Sequence, residues 1–288
     1  MADLTAIILT KNEELNIKEC INSIKAITKR IIVIDSFSND RTVEIAKELG
    51  ADVYQNRFIN YSKQFKYGLY NTAINTKWVL RIDADERLTK ESAEEIETLT
   101  KLHTDDDVNG LILRFKVQFM GRYLKYGGVY PFRKLLVFKH GIGDIEDRNM
   151  DEHIVLSKGR AIELKNDSLH YDFKNLTYWI AKHNWYASRE VKDYFESRYE
   201  SDEKGDLDRK AKIKRIIKFK IYYKLPMGLR NLLYFIYRYV FKLGFLDGKE
   251  GFIYNFLQAY WYRFLVDAKI YEHEKMGGEF EKTGELNV

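Results

Sequence analysis

Residues 78–86 have the sequence WVLRIDADE, a short apolar run that ends abruptly in three carboxylates. The first five residues favour β-structure and predict a strand that is buried on both faces. The carboxylates of Asp83, Asp85 and Glu86 then follow the carboxyl end of that strand, which is where open α/β sheets bind their ligands. This stretch therefore predicts both the class of the fold and the place of a site.

The residues before this stretch repeat a strand–helix alternation. The apolar, β-rich runs are residues 6–9, 31–34 and 51–54, and the segments with apolar residues at helical spacing are residues 17–24, 43–49 and 63–76. This alternation predicts a mostly parallel sheet with helices on both faces. Polar residues follow the first two runs and are expected at the same edge as Asp83, namely Thr10, Asn12, Glu13, Asp35 and Ser36.

The pattern changes in the second half of the chain. Residues 110–169 contain short apolar runs separated by glycines and turns, and residues from 176 onward have a largely helical pattern. The polar, acidic segment 201–208 is the best candidate for a boundary. We therefore expect an α/β domain over residues 1–205, followed by a helical appendage over residues 206–288.

The composition excludes several classes of protein. The chain has 288 residues, of which 45% are hydrophobic and 32% charged, as in ordinary globular enzymes. A formal net charge of +5 does not by itself indicate a nucleic-acid-binding protein. The single cysteine, Cys20, excludes an internal disulfide and a multi-cysteine zinc site. Residues 1–10 lack a basic leader pattern and the longest uncharged run is residues 251–262, so we expect neither a secretory signal nor a membrane-spanning helix.

The pair Asp83 and Asp85 indicates a divalent cation. Two carboxylates separated by one residue at a strand end can both approach Mg²⁺ or Mn²⁺ through oxygen, and ions held in this way often bridge substrate phosphates. The alternative interpretation is the acidic first turn of a helix, where carboxylates are also favoured.

Asp35 is the first polar residue after its strand. Its carboxylate can accept hydrogen bonds from a ribose hydroxyl or a base N–H, although the polar residues after it can equally cap the next helix. The chain contains neither a Gly-x-Gly-x-x-Gly motif nor a Walker loop. A dinucleotide-binding enzyme and a P-loop ATPase therefore have no support.

Taken in order, these motifs closely resemble the family 2 inverting glycosyltransferases of the GT-A fold, and within them the bacterial lipopolysaccharide core β-glucosyltransferases. The matching segments are residues 10–13 (TKNE), 34–42 (IDSFSNDRT) and 78–86, with further similarity at residues 150–153 (MDEH), 170–171 and 244–248 (GFLDG). The resemblance implies that residues 1–205 form a GT-A catalytic domain.

The resemblance also implies a nucleotide-sugar donor, either a UDP-hexose or a UDP-N-acetylhexosamine. The nucleoside would lie near Asp35, and the diphosphate would lie at an Mn²⁺ or Mg²⁺ ion. Asp85 would coordinate this metal directly, Asp83 would contact the ribose or a water on the metal, and His170 would be a third ligand. The remaining donor-binding candidates are Thr10, Asn12, Glu13 and Ser36. The family's basic residue after the third strand corresponds to a residue within 62–64 (SKQ), where Lys63 is the candidate.

Direct displacement at an anomeric carbon requires a carboxylate that deprotonates the acceptor hydroxyl. The resemblance places this base in an acidic pair after the Asp-x-Asp motif, which corresponds to Glu152, with Asp151 as the alternative. Without the resemblance, the same residues would be interpreted as a surface acidic cluster. Arg133 and Lys134 are basic residues that can meet phosphate or acceptor, although basic residues are common beside strands.

Residues 209–224 contain eight basic residues and no acidic one, and residues 229–245 and 251–265 are rich in aromatic and aliphatic side chains. Basic helices that carry aromatic residues are typical of segments that lie on anionic membranes. The alternatives are packing against the catalytic domain and nucleic-acid binding, and no nucleic-acid module is present. We expect a peripheral protein on the cytoplasmic face of a bacterial membrane, with a lipid-linked or nascent glycan as acceptor.

Two other functions were weighed against this prediction. A nucleotidyltransferase would have a glycine-rich phosphate loop near the first strand, and residues 10–14 (TKNEE) contain none. A non-catalytic scaffold or membrane-surface module would not need Asp83 and Asp85, and both are present.

Overall fold

The computed structural model describes residues 1–147, 152–199 and 225–276, which fall into two compact units. The first unit contains Met1–Leu124 and Val129–Lys174. Its strands are β1 (Leu4–Thr10), β2 (Arg30–Asp35), β3 (Asp52–Gln55), β4 (Trp78–Asp83), β5 (Glu86–Arg87), β6 (Val108–Phe119), β7 (Arg122–Tyr123), β8 (Phe132–Lys139), β9 (Gly143–Ile145), β10 (Ile154–Leu156) and β11 (Arg160–His170). Its helices are α1 (Ile17–Ile24), α2 (Thr42–Glu48), α3 (Tyr61–Asn71) and α4 (Lys90–Leu102).

The central sheet has the strand order β3-β2-β1-β4-β8-β6-β11-β5, with β7 paired to β6. Strands β1 to β4 pair in parallel, as do β6 and β11. Strand β8 is antiparallel to both of its neighbours, and β5 is antiparallel to β11. The sheet is therefore mixed but mostly parallel, and the predicted α/β class is confirmed.

Helices cover both faces of the sheet because the side chains of each strand alternate between two cores. In β1, Leu4, Ala6 and Ile8 belong to the core that contains the apolar residues of α1, α2 and α4. Ile7 and Leu9 of the same strand belong to the opposite core, to which α3 contributes Phe65 and Leu69. All seven residues of β1 are buried, as expected of a strand covered on both sides.

Helix α3 differs from the predicted helix over residues 63–76 at both ends. It begins earlier because the side chain of Asn60 accepts a hydrogen bond from the backbone N–H of Lys63 at 2.8 Å and caps the first turn. It ends earlier because the hydroxyl of Thr72 donates to the carbonyl of Gly68, and Ala73 has a left-handed backbone with φ of 48°.

Strand β11 was not predicted from the sequence. Its segment RAIELKNDSLH is mostly polar, and its pairing with β6 shifts register between Glu163 and Asp167, where the partner strand advances by only two residues. Such a bulge destroys the period-two alternation on which strand prediction depends. The strand ends at His170, which pairs with Glu86 of β5.

The second unit contains Lys125–Gly128 and the described residues after Lys174. Helix α5 (Leu176–Tyr199) packs Ala187 and Val191 against Val266 and Ile270 of the last helix. The remaining helices are Leu229–Ile236, Gly248–Asn255 and Tyr262–Met276, with π-helical segments at Tyr237–Phe241 and Phe256–Trp261 and a 3₁₀ turn at Gly244–Asp247. The predicted helical C-terminal region is confirmed.

The division between the two units falls after Lys174 in the described part of the chain. The predicted boundary near residue 205 and the basic segment 209–224 lie outside the described residues, and both stay predictions. Within the described ranges, no helix combines the length and the hydrophobicity needed to cross a bilayer.

The motif GFLDG at residues 244–248 holds the short insertion Lys125–Gly128 in the second unit. The carboxylate of Asp247 accepts hydrogen bonds from the backbone N–H groups of Lys125, at 3.0 Å, and Tyr126, at 2.8 Å. Gly127 donates its N–H to the carbonyl of Lys242. The motif therefore has a structural role that its sequence alone does not reveal.

Gly68 gives a direct test of the fold, because a Cβ at this position would lie 2.9 Å from Cγ1 of Ile34 and 3.0 Å from Cγ2 of Ile7. We expect Gly68→Leu to lower the free energy of unfolding by about 1–3 kcal/mol through overpacking. Tyr70→Leu, an exposed position on the same helix, is the control and should have little effect. Chemical denaturation measures both variants, and equal stability of the two would contradict the close approach of α3 to the sheet.

Candidate active site

The ends of β1 and β2 bring together Thr10 and Asp35, which are register partners in the sheet. The hydroxyl of Thr10 donates to Oδ1 of Asp35 at 3.2 Å, and the backbone N–H of Ser38 donates to Oδ2 at 2.9 Å. The hydroxyl of Ser38 also donates to Oδ1. Asp35 is fully buried, so its carboxylate forms the floor of a polar corner rather than a surface charge.

Asn12 joins the loops that follow β1 and β2. Its backbone is left-handed, with φ of 54°, and its N–H donates to the hydroxyl oxygen of Ser38 at 2.8 Å. Its side-chain carbonyl accepts from the backbone N–H of Asn39 at 3.0 Å. An asparagine tolerates this conformation better than most residues, so Asn12 acts in the structure as a connector of the two loops.

Of the residues at the start of α3, Gln64 rather than Lys63 contacts the polar corner. Lys63 lies on the exposed side of the first turn. Gln64 is buried and donates from Nε2 to the hydroxyl of Ser36 at 3.0 Å and to the carbonyl of Asn56 at 3.1 Å. The matched segment 62–64 includes Gln64, but Lys63 is the only basic residue in it and is therefore the candidate from the sequence alone. The helical spacing of Gln64 with Gly68 places it on the sheet-facing side.

Glu13 is held in a buried network with the segment that follows β11. Its Oε1 accepts from Nζ of Lys174 at 2.8 Å, and its Oε2 accepts from Nδ2 of Asn16 at 2.8 Å. Asn16 also donates to Oδ1 of Asp172 at 2.8 Å. Glu13 therefore ties the loop after β1 to residues 172–174, and in the structure it positions this loop.

Arg87 fixes the backbone of the acidic motif. Its Nη1 donates to the carbonyls of Asp85, at 3.1 Å, and Tyr171, at 2.7 Å, and its guanidinium lies 4.0 Å from the centre of the Tyr171 ring. The N–H of Tyr171 in turn donates to the carbonyl of Asp85. The end of β11 and the motif after β4 are thereby held as one element.

Lys134 of β8 bridges two carboxylates of the motif. Its Nζ lies 2.9 Å from Oδ2 of Asp83 and 2.7 Å from Oε1 of Glu86, which is fully buried. Burial disfavours the charged form of Asp83, but Lys134 and Arg81 outweigh it and hold the pKa of the Asp83 carboxyl well below its ordinary value. Burial likewise opposes the charged form of Lys134, and the two carboxylates still raise the pKa of Lys134 well above its ordinary value.

His170 faces the same carboxylates from β11. Its Nδ1 lies 3.9 Å from Oδ1 of Asp85 and 3.8 Å from Oε1 of Glu86, too far for a hydrogen bond. Burial lowers the pKa of His170, but Asp85 and Glu86 outweigh this effect and raise it. Within the described structure this buried nitrogen has no hydrogen-bond partner.

Glu152 joins the same edge of the sheet through Arg81 of β4. Nη2 of Arg81 donates to Oε1 of Glu152 at 2.9 Å, and the two side chains are only 9% and 8% exposed. Arg81 and Asp83 are two residues apart on one strand and so project from the same face. Asp151, the alternative base, lies outside the described residues.

The cluster is short of positive charge. Its carboxylates are Asp83, Asp85, Glu86 and Glu152, and its permanent cations are Arg81 and Lys134. Arg87 adds a further buried cation at the carbonyl of Asp85, so with His170 neutral the formal charge is one unit negative, which favours a cation. Across the described ranges, however, no three His, Cys, Asp or Glu side chains lie close enough to share a metal ion. Asp83 pairs with Lys134 instead. The predicted trio of Asp83, Asp85 and His170 is thus not assembled as one site.

The bridging role of Lys134 predicts that substitution of Lys134 lowers the free energy of unfolding much more than substitution of the adjacent Arg133. Lys134→Met leaves Glu86 buried and unpaired and should cost about 3 kcal/mol of unfolding free energy. Arg133→Met removes the exposed pair with Glu163 and should cost less than about 1 kcal/mol. Denaturant titration measures both, and equal losses would contradict the bridge. Adding Glu86→Gln to Lys134→Met should restore part of the stability.

Comparison with known proteins places the chain in a family. The model of the family described as glycosyl transferase family 2 matches residues 5–148. An uncharacterised glycosyltransferase of Rickettsia felis is 34% identical over 203 residues, which cover 67% of this chain and 70% of that protein. A lipopolysaccharide core biosynthesis glycosyltransferase of Rhizobium meliloti is 24% identical over 95% of this chain and 93% of that protein.

Among solved structures, a mannosyltransferase from Pyrobaculum calidifontis in complex with GDP-Man and Mn²⁺ aligns with a TM-score of 0.53 and 14% identity, covering 93% of this chain and 87% of that one. This likeness supports the GT-A fold. The family model spans half of the chain, and it agrees with the motifs from which the resemblance was inferred. The protein is therefore an enzyme that belongs to glycosyltransferase family 2.

Proposed function

We propose that this enzyme transfers a hexose or N-acetylhexosamine, with inversion, from a UDP-sugar to a lipid-linked or nascent cell-surface glycan on the cytoplasmic side of a bacterial membrane. The main support for this proposal is that the polar corner around Asp35 and the cluster of Asp83, Asp85, Glu86 and Glu152 lie at the same edge of the sheet. The similarity to the Rhizobium meliloti protein supports this class of acceptor. The family membership supports a glycosyltransferase over the nucleotidyltransferase and the non-catalytic module.

The Asp35 corner is suited to the nucleoside. The hydroxyls of Thr10 and Ser38 donate to Asp35, and hydroxyl groups can rotate to other acceptors. Asp35 is fully buried, so its carboxylate would accept hydrogen bonds from the ribose or the base once these side chains turn away from it. Ser36 and Gln64 add further polar groups beside it.

Asp85 and His170 are the residues that fit a divalent metal. Oδ1 of Asp85 and Nδ1 of His170 are 3.9 Å apart. Two metal–ligand bonds add up to about 4.2 Å, so both atoms could bind one ion placed between them. The buried Nδ1 without a hydrogen-bond partner and the negative cluster suit Mn²⁺ or Mg²⁺, and the Pyrobaculum calidifontis enzyme holds Mn²⁺. When bound, such an ion neutralises the charge that develops on the departing diphosphate.

Glu152 is the proposed base. Its ion pair with Arg81 fixes one carboxylate oxygen and leaves the other free to accept the proton of the acceptor hydroxyl. Arg81 acts here as a positioning residue. Asp151 precedes it directly in the sequence and remains the second candidate for the same role.

A panel of nucleotide sugars tests the donor class. UDP-hexoses and UDP-N-acetylhexosamines with Mn²⁺ should raise the melting temperature more than GDP- or CMP-sugars do, because a ligand that binds only the folded state stabilises it. Slow hydrolysis of the same donor should accompany this binding. A shift with GDP-sugars alone would contradict the proposed donor.

The metal assignment predicts that Asp85→Asn loses the Mn²⁺-dependent part of its UDP affinity while keeping its fold, since Asp85 lies beyond the end of β4. The matched control is Asp105→Asn, whose carboxylate is exposed and pairs only with Lys77 at the surface. Titration calorimetry with and without Mn²⁺ measures both variants. An unchanged metal dependence in Asp85→Asn would overturn the assignment.

The base assignment predicts that Glu152→Gln binds the donor normally but transfers sugar about 10²–10⁴-fold more slowly, because it keeps the shape and loses the proton acceptor. Asp151→Asn serves as the comparison. If only Asp151→Asn loses transfer, Asp151 rather than Glu152 is the base. If both variants transfer at the wild-type rate, the acidic pair is structural and this mechanism is wrong.

A further inference from the structure

Residues 229–264 form a helical hairpin, called the hairpin below. One arm consists of Leu229–Ile236 and its continuation Tyr237–Phe241, and the other begins with Gly248–Asn255 and continues through Phe256–Trp261. The arms are antiparallel, since the ring of Phe235 lies 6.0 Å from that of Phe256, and the ring of Tyr239 lies 5.5 Å from that of Phe252. The 3₁₀ turn at Gly244–Asp247 lies at the apex.

The hairpin buries polar groups at its base. Arg230 and Asp267 are 9% and 3% exposed and form an ion pair, with Nε 2.7 Å from Oδ2. The side chain of Asn231 donates to the same Oδ2 at 2.8 Å. Because burying charge is costly unless it is fully paired, this base is a specific structure rather than a loosely packed helix pair.

The outer surface of the hairpin is apolar, in contrast to its base. Leu233, Tyr237 and Phe241 recur every four residues along the first arm, and Phe252 and Phe256 have the same spacing on the second. Phe264 follows eight residues later, in the last helix. All six are exposed, and Phe241 reaches 73%. Phe245 and Leu246 extend this surface over the apex. Large apolar side chains that are exposed in such number mark contact sites for proteins or membranes.

The charges around this surface favour an anionic lipid. Residues 229–264 are all described, and the exposed charged side chains among them are Lys242 and Lys249, both basic and both near the apex. The sequence places eight further Lys and Arg residues at 209–224, directly before the hairpin. Basic residues beside inserted aromatic groups are the chemistry by which interfacial helices bind anionic headgroups.

The length of the hairpin limits how deeply it can insert into a bilayer. The arm from Leu229 to Phe241 is about 20 Å long, shorter than the hydrocarbon core of about 30 Å. An arm of this length fits the interface between headgroups and acyl chains.

We infer that the hairpin is a membrane anchor that inserts its apolar surface and apex into the headgroup region of an anionic bilayer. It buries the aromatic and leucine side chains there, while Lys242 and Lys249 contact lipid phosphates. The inference concerns a surface remote in sequence from the donor site and does not depend on the proposed donor or acceptor.

Vesicle flotation of the full chain, without nucleotide, tests this inference. With phosphatidylcholine vesicles that contain about one third phosphatidylglycerol, the wild type should float, and binding should fall as salt is raised. Phe241→Asp and Leu246→Asp should each weaken binding about tenfold or more. Leu102→Asp makes the same change at a 69% exposed leucine of the first unit and should bind like the wild type.

Several results would overturn the inference. These are wild-type protein that does not float on anionic vesicles at low salt, equal flotation on pure phosphatidylcholine, or hairpin variants that float like the wild type. A wild-type dimer that Phe241→Asp dissociates, without lipid binding, would assign the surface to a second copy. Unfolding curves of the variants that match the wild type show that the fold is intact, and donor hydrolysis measured separately reports on the proposed function alone.

Discussion

The double salt bridge of Lys134 with Asp83 and Glu86 is the interaction on which the candidate site depends. It exists because β8 runs against β4. A strand that starts where its neighbour ends brings its first residues to the carboxyl edge of the parallel strands, and Lys134 lies at that start. A parallel strand in the same place would bring its last residues there instead. The reversal in the middle of the sheet therefore supplies the cation that stabilises a buried carboxylate beside the acidic motif.

The same edge also collects groups from more distant strands. Strand β11 is parallel to β6, and its pairing with β5 puts His170 opposite Glu86. Arg87 then locks the backbone at Asp85 to the residue after His170 through their carbonyls. The spacing between Asp85 and the imidazole is thus set by the pairing of β5 with β11 and by the hydrogen bonds of Arg87. A fixed spacing is what an electrostatic site requires, because its effect depends on groups that are already in place.

Local sequence patterns were sufficient for the first four strands. Strands β1, β2 and β4 are apolar runs inside the covered sheet, and β3 is a short, partly exposed strand at its edge. These patterns were also sufficient for Asp35 and Asp83, which directly follow such apolar runs. They failed for β11, where a bulge removes the alternation, and for Gln64 and Arg87, whose roles arise from contacts with residues far away in the chain. Family resemblance supplied His170 and Glu152 as candidates, and only the tertiary structure supplied the partners of each.

The second unit buries the ion pair of Arg230 with Asp267 and exposes many aromatic side chains to solvent. Asp247 connects this helical unit to the insertion Lys125–Gly128, which the chain reaches directly from β7 and leaves toward β8. The strand that carries Lys134 is therefore close in sequence to a segment held by the hairpin. An enzyme whose acceptor is confined to a membrane gains from such a unit, because attachment concentrates it where the acceptor is.

We propose that the edge formed by β4, β8 and β11 holds a divalent metal for a nucleotide-sugar donor. Anomalous diffraction at the manganese edge, from crystals soaked with Mn²⁺ and UDP, tests this proposal. We expect one strong peak between the carboxylate of Asp85 and Nδ1 of His170, next to the diphosphate. A diphosphate bound with no manganese peak there, or a peak at another place in the chain, would contradict it.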